Sequence, residues 1–171
     1  MARLTLILGG ARSGKSARAL ALAEAAAEAR VFLATAEALD DEMADRIARH
    51  KAERGVGWAL VEAPLDVGAA VSGAAAAERV ILIDCLTLWL SNLMHDERDV
   101  AAETVGLLAA VAAAPGSVVM VSNEIGLGLA PMNALGRAFR DAQGRLNQQV
   151  AAAAGRVEFV AAGLPLVLKE E

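Results

Sequence analysis

Residues 9–16 read Gly-Gly-Ala-Arg-Ser-Gly-Lys-Ser, a complete Gly-x-x-x-x-Gly-Lys-Ser pattern. An apolar run at residues 4–8 precedes it and an alanine-rich stretch follows it. That context, a strand, a glycine-rich turn and a helix start, is the one in which such a turn wraps phosphate. The glycines let backbone N–H groups close around phosphate oxygens, and the helix N-terminus adds positive potential. On this reading Gly9, Gly10, Ala11, Arg12, Ser13 and Gly14 form the cradle. Lys15 reaches the outer phosphates, and the Ser16 hydroxyl ligates Mg²⁺.

The rest of the chain alternates between the two periodicities. Short apolar runs at 31–34, 58–62, 80–83, 117–122, 157–160 and 164–168 read as strands, the last two around Gly163-Leu164-Pro165. Helical stretches are expected at 15–30, 40–54, 66–77, 86–94 and 100–113, and from the glycine-broken loop at 125–131 to about residue 154. Asp40 or Asp41 would cap the second of these helices. Strand–helix alternation predicts an α/β fold with a mainly parallel sheet flanked by helices. The length of 171 residues suits one domain, 1–171.

Composition excludes several classes. Aromatic residues are only 3% of the chain, too few for base-stacking platforms, and the net charge of −5 argues against a broad phosphate-backbone footprint. No nucleic-acid partner is expected. One cysteine, Cys85, makes neither an internal disulfide nor a thiolate cage for zinc. No apolar run approaches the roughly 20 residues needed to cross a bilayer, and no cleavable leader is visible. A soluble, cytoplasmic protein without stable membrane insertion is expected.

Other residues carry candidate chemistry. Asp84 ends the apolar run 80–83. A carboxylate there resembles the second acidic motif of P-loop proteins, placed beside the phosphate loop, and it would hold Mg²⁺ directly or through water. It also reads as a helix N-cap for the segment from Leu86. Within 40–54, His50 stands among Arg46, Lys51 and Arg54. Cations around an imidazole favour its neutral, nucleophilic form. By pattern alone, the same residues read as a solvated helix face. Ser122-Asn123-Glu124 closes another strand before the glycine loop. Arg137, Arg140, Asp141 and Asn147 on the next helix read as surface polar residues.

Taken together, these motifs resemble the bifunctional adenosylcobinamide kinase / adenosylcobinamide-phosphate guanylyltransferase family of cobalamin biosynthesis. The resemblance runs nearly end to end. It includes the phosphate loop, Ala34-Thr35-Ala36, Asp41-Glu42-Met43, Arg46-Ile47, His50-Lys51, Trp58 and Glu62-Ala63-Pro64. It continues through Asp84-Cys85-Leu86-Thr87, Ser122-Asn123-Glu124, Phe139-Arg140-Asp141, Gly144, Asn147-Gln148 and Gly163-Leu164-Pro165. Several relatives carry a second histidine just before His50, where this chain has Arg49.

The resemblance implies a P-loop NTPase with a RecA-like sheet. It implies two reactions: phosphorylation of adenosylcobinamide by ATP or GTP, then transfer of GMP from GTP to adenosylcobinamide phosphate. His50 would attack the α-phosphate and carry GMP as a phosphoramidate. Lys51, Ala52, Glu53 and Arg54 would contact the nucleotide, the two cations through phosphates. Ala34, Thr35 and Ala36 would line its site, while Glu62 and Asp84 would hold nucleoside polar groups. Family members form homotrimers, so a trimer is expected here. The rival readings are a plain small-molecule kinase, which gives His50 no task, and a nucleotide-driven switch. Against the switch, there is no Asn-Lys-x-Asp guanine-reading motif, and Asp84 leads into Cys85-Leu86-Thr87 instead of Asp-x-x-Gly.

Overall fold

A computed structural model describes residues 4–36 and 57–171. The described chain runs through β1 (Leu4–Gly9), α1 (Lys15–Ala26), β2 (Ala29–Ala34), β3 (Trp58–Glu62), α2 (Val67–Ala74) and β4 (Arg79–Asp84). It continues through α3 (Leu86–His95), α4 (Val100–Ala113), β5 (Ser117–Asn123), α5 (Ala134–Ala153), β6 (Arg156–Ala161) and β7 (Leu164–Glu170). The strands form one seven-stranded sheet in the order β3-β2-β4-β5-β1-β6-β7. Every neighbouring pair is parallel except β6 and β7. The C-terminal ends of six strands therefore share one edge, where open α/β sheets bind ligands.

Central strands read as continuous apolar runs because both of their faces are covered. Leu4, Leu6 and Leu8 of β1 face one layer, built with Val67 and Val71 of α2, Trp89 and Leu93 of α3, Leu107 of α4, and Leu146 and Val150 of α5. Ile7, with Leu82 of β4 and Val119 of β5, faces α1 on the opposite side. The residues of α1 at that face are Ala19 and Ala23, both fully buried. Their small side chains let the helix that follows the phosphate loop lie close against the sheet. Trp89 fills the larger layer, and its indole N–H donates to the Leu65 carbonyl at 2.7 Å.

Most expected elements are present, with shifted ends. The helix expected over 15–30 stops at Ala26, and β2 begins at Ala29, where Ala29 pairs with Arg79 of β4. Alanine carries helix propensity through this stretch, but pairing with β4 overrides it. The helix expected over 66–77 is the shorter Val67–Ala74. The helix expected over 40–54, with its cap at Asp40 or Asp41, lies outside the described residues.

One buried charge joins the phosphate-loop helix to the sheet. Glu158 of β6 is fully buried, and its carboxylate accepts from Arg18 of α1 at 2.7 and 2.9 Å. Arg156 donates to the same carboxylate at 2.8 Å and also pairs with Glu170 of β7. The Arg18 hydrogen bonds hold the Glu158 carboxyl below the usual carboxylate range; burial opposes this and Arg156 reinforces it.

Removing one partner of such a group strands the rest. Glu158→Gln is expected to lower stability by about 1.5–3 kcal/mol at neutral pH, the worth of hydrogen bonds to a charged group, measured by urea unfolding. Because the folded carboxyl is the stronger acid, the unfolded chain takes up the proton first. The wild-type advantage is then present above the ordinary glutamate value of about 4.3 and drains away as pH falls through the lower folded value. The gap between wild type and variant should narrow over that window. An equal gap on both sides of it would contradict the assignment.

Candidate active site

The loop between β1 and α1 is shaped by close backbone approach. A side chain on Gly9 would press its Cβ into Ser13 Oγ and to 2.6 Å from the Val160 carbonyl, so only glycine fits there. Gly14 sits at φ 95°, in the left-handed region that glycine adopts freely, and it caps α1. A Cβ on Gly14 would also approach Gly163 Cα to 3.1 Å. Two neighbouring turns pin the loop: Gly163 N–H donates to the Ser13 carbonyl at 2.8 Å, and Glu124 N–H donates to the Gly9 carbonyl at 3.1 Å.

Lys15 is buried, and its ammonium donates to the Gly10 carbonyl at 2.9 Å, spanning the loop it belongs to. Ser16 is half-buried in the first turn of α1, and Ala11 and Arg12 face solvent. The Ser13 hydroxyl is buried without a hydrogen-bond partner. A donor hydroxyl of that kind, within a turn whose backbone curls around itself, fits an oxyanion.

Asp84 reaches this edge from two strands away, because β5 lies between β1 and β4. It stands opposite Ala34 and Val121 in register. The residue that caps α3 is Cys85, with no side-chain cap bond, so the N-cap alternative for Asp84 does not hold. Burial, then the neighbouring Asp84 carboxylate, pushes the Cys85 thiol up to about 11. Cys85 therefore stays protonated and is no thiolate nucleophile. The positive charge of Lys15 also reaches this thiol and pulls the other way, which places the β4 end within the electrostatic field of the loop.

A second polar cluster organises the edge on the far side of β4. Thr35 is buried; its hydroxyl accepts from Cys85 N–H at 2.9 Å and donates to the Cys85 carbonyl at 2.8 Å. The Asn92 side-chain amide of α3 donates to the Thr35 carbonyl at 2.8 Å and to the Pro64 carbonyl at 3.0 Å. Ala63 N–H donates to the Ala34 carbonyl at 2.9 Å. These bonds set Ala34, Thr35 and the half-buried Ala36 in place. Glu62 is exposed at the end of β3. It is four strand spacings from β1, about 19 Å at ordinary spacing, so the structure does not bring it to the phosphate loop. His50, Lys51, Ala52, Glu53 and Arg54 lie outside the described residues.

Between β4 and β1, at the end of β5, a third cluster is hidden under a helix that reads as surface polar. Asn147 and Gln143 of α5 are buried. Ser122 Oγ donates to Asn147 Oδ1 at 2.7 Å, and Gln143 Nε2 donates to both at 3.0 Å. Asn147 Nδ2 donates to the Asn123 carbonyl at 3.0 Å, and Thr87 Oγ1 accepts from Asn123 N–H at 2.9 Å. The surface reading is thus wrong for Asn147, whose side chain orders the end of β5. Its four-residue spacing from Gln143, on the face that also carries Leu146 and Val150, was the available signal.

Among the described residues no group of three or more His, Cys, Asp and Glu could hold a metal ion. Magnesium needs no such cage, since it keeps waters and binds substrate phosphates through one or two protein oxygens. The Ser16 hydroxyl and the Asp84 carboxylate are protein oxygens of the kind that would serve. Clefts of about 570 and 660 Å³ open elsewhere, against β3 and α2 and at the N-terminal ends of the central strands. Neither combines a phosphate cradle with a cation, so the loop edge remains the candidate site.

The sequence matches the profile of the family described as cobinamide kinase / cobinamide phosphate guanyltransferase over residues 5–168. It is 46% identical to the bifunctional adenosylcobalamin biosynthesis protein CobP of Pseudomonas aeruginosa, covering 97% of both chains. It is 37% identical to the bifunctional adenosylcobalamin biosynthesis protein CobU of Escherichia coli K12, covering 97% of this chain and 99% of the relative. In fold it is similar to a type III secretion system ATPase from pathogenic bacteria, with TM-score 0.58, 13% identity, and coverage of 96% of this chain and 56% of that one. It is also similar to a second solved ATPase domain, with TM-score 0.53, 11% identity, and coverage of 92% and 68%. These likenesses place the sheet among P-loop ATPase folds.

Lys15→Ala is expected to weaken GTP binding by about tenfold to a hundredfold, the worth of a charge-assisted contact to phosphate. Titration calorimetry reads this directly. Unchanged affinity would mean that the loop is not where the phosphates sit.

Proposed function

Since the chain belongs to the cobinamide kinase / cobinamide phosphate guanyltransferase family, we propose that its loop edge carries out two successive transfers on one corrinoid. The enzyme is a bifunctional adenosylcobinamide kinase and adenosylcobinamide-phosphate guanylyltransferase of cobalamin biosynthesis. The single observation that carries this reading is the family match over residues 5–168, joined to a phosphate loop whose glycines, lysine and serine are all in place.

In the first transfer, the aminopropanol hydroxyl of adenosylcobinamide attacks the γ-phosphorus of ATP or GTP. A P–O bond forms to the acceptor, the bond from the γ-phosphorus to the bridging oxygen breaks, the nucleoside diphosphate leaves, and the hydroxyl proton passes to solvent. Residues 9–14 hold the phosphate oxygens through backbone N–H groups, and the Lys15 ammonium turns from the Gly10 carbonyl to the outer phosphates. Ser16, with Asp84 directly or through water, would hold Mg²⁺, which offsets charge on the phosphate oxygens when bound.

In the second transfer, an imidazole nitrogen of His50 attacks the α-phosphorus of GTP. A P–N bond forms, the P–O bond to pyrophosphate breaks, and pyrophosphate leaves. An oxygen of adenosylcobinamide phosphate then attacks the same phosphorus. The P–N bond breaks, adenosylcobinamide-GDP is released, and the imidazole returns to its starting state. The support for His50 is the Arg46-Ile47-x-x-His50 spacing and the cations Arg46, Lys51 and Arg54, which favour neutral imidazole and offset charge on the leaving group. Ala34, Thr35, Ala36, Ala52, Glu53 and Glu62 would complete the nucleotide contacts.

In this reading the chain is a single domain, 1–171, and works in the cytoplasm as a homotrimer. No helix among the described residues is long and apolar enough to cross a membrane. Support for association comes from β7, an edge strand whose Leu164, Leu166 and Leu168 are exposed at 72%, 61% and 57% on alternate positions. An edge with that apolar face needs a partner, and a second copy supplies one.

His50→Asn is expected to abolish guanylyl transfer while kinase activity persists, because phosphoryl transfer to a bound hydroxyl needs no covalent enzyme intermediate. Both assays run in excess EDTA are expected to show neither product. Normal GMP transfer by the variant would remove the histidine from the mechanism, and full activity in chelator would remove the metal.

A further inference from the structure

The loop after β5 and the first turn of α5 display apolar side chains that the fold does not bury. Leu127 is 83% exposed, Leu129 98%, Met132 99% and Leu135 73%. Four large apolar groups in nine residues are more than scattered surface hydrophobics, and a clustered apolar patch marks a binding surface.

The loop is not loose chain. Gly126 N–H donates to Glu124 Oε1, and Gly136 N–H donates to Asn133 Oδ1 at 2.6 Å. The Arg137 guanidinium donates to the Pro131 and Met132 carbonyls at 3.0 and 2.8 Å. A Cβ on Gly136 would come within 2.8 Å of the Pro131 side chain. These bonds hold the backbone in shape while Leu129 and Met132 point into solvent. A braced loop with exposed apolar groups has already met part of the ordering cost of binding.

Its root lies at the phosphate site. Glu124, the residue after β5, donates its N–H to the Gly9 carbonyl at 3.1 Å. Leu127 is three residues on, within about 10 Å of extended chain. A ligand that seats against Leu127 is therefore within reach of the phosphate loop. The acceptor of the proposed reactions is a corrinoid: a broad macrocycle with apolar faces, whose reacting hydroxyl hangs on a flexible arm.

We infer that Leu127, Leu129, Met132 and Leu135 form the platform on which the corrin ring of the acceptor rests, orienting its hydroxyl toward the phosphate loop. This rests on the proposed function and adds to it the residues that select the acceptor. The acceptor is the occupant chosen because the loop is rooted beside the phosphate loop, through the Glu124–Gly9 bond. The apolar strand β7 offers a copy a separate surface.

The test is the double variant Leu129→Ser/Met132→Ser in the intact enzyme. Both side chains are almost wholly exposed, so the unfolding midpoint should match wild type. The KM for adenosylcobinamide in the kinase assay is expected to rise by about tenfold or more, the effect of losing apolar burial on binding. GTP affinity by calorimetry and native mass by sedimentation should both stay at wild-type values. An unchanged KM for adenosylcobinamide would overturn the platform. A fall in native mass would assign the loop to a contact between copies and overturn it as well. A wild-type enzyme that phosphorylates no adenosylcobinamide would overturn the proposed function itself, which the variant comparison alone cannot do.

Discussion

The site depends on one tight backbone meeting. The turn between β6 and β7 approaches the phosphate loop so closely that Gly163 N–H bonds the Ser13 carbonyl at 2.8 Å, while Val160 leaves no room for a side chain on Gly9. Gly163 itself sits at φ 80°, so the turn requires glycine on its own account. Three glycines on two distant segments thus meet where the phosphates are expected. The Glu158–Arg18 pair fastens α1 to β6 one turn beyond Lys15, so the same strand that shapes the loop also holds the helix behind it. Phosphate recognition by backbone N–H groups works only if those groups cannot swing away, and β6 supplies that rigidity from both sides.

The remaining edge is built by polar bonds between loop ends. Thr35 joins the end of β2 to Cys85, and Asn92 joins it to Pro64. Asn147 does the same for the end of β5. Each bond satisfies a backbone group that would otherwise be left unpaired as a parallel strand terminates near the interior. The consequence is an edge of fixed shape from β2 to β6, along which a nucleotide and an acceptor can lie. Ala36, at this edge, leads in sequence to the segment that carries His50.

Much of this was legible in the residues. The phosphate loop announced itself because glycine, lysine and serine at that spacing have one dominant use. The central strands were legible because burial on both faces leaves uninterrupted apolar runs. What failed to show has physical reasons. The end of α1 was misplaced because alanine gives helix propensity without saying where pairing with β4 begins. Asn147 looked like surface because a polar residue that bonds a strand end, buried under a helix, has the same composition as a solvated one. Gly163 read only as a turn, since nothing in its neighbours reveals that the turn touches residue 13. Glu158 was not singled out at all; its partner Arg18 is 140 residues away. The separation of Glu62 from β1 likewise follows from strand order, which local pattern does not encode.

The central claim is that one chain holds GMP covalently and hands it to a phosphorylated corrinoid. The most direct measurement is a chase in the absence of free nucleotide. The enzyme is loaded with α-labelled GTP, freed of unbound label, and mixed with adenosylcobinamide phosphate in single-turnover amounts. The account predicts that protein-bound label disappears as labelled adenosylcobinamide-GDP appears, mole for mole, with no free GMP. Label that stays on the protein, or a product formed only when GTP is added back, would contradict it.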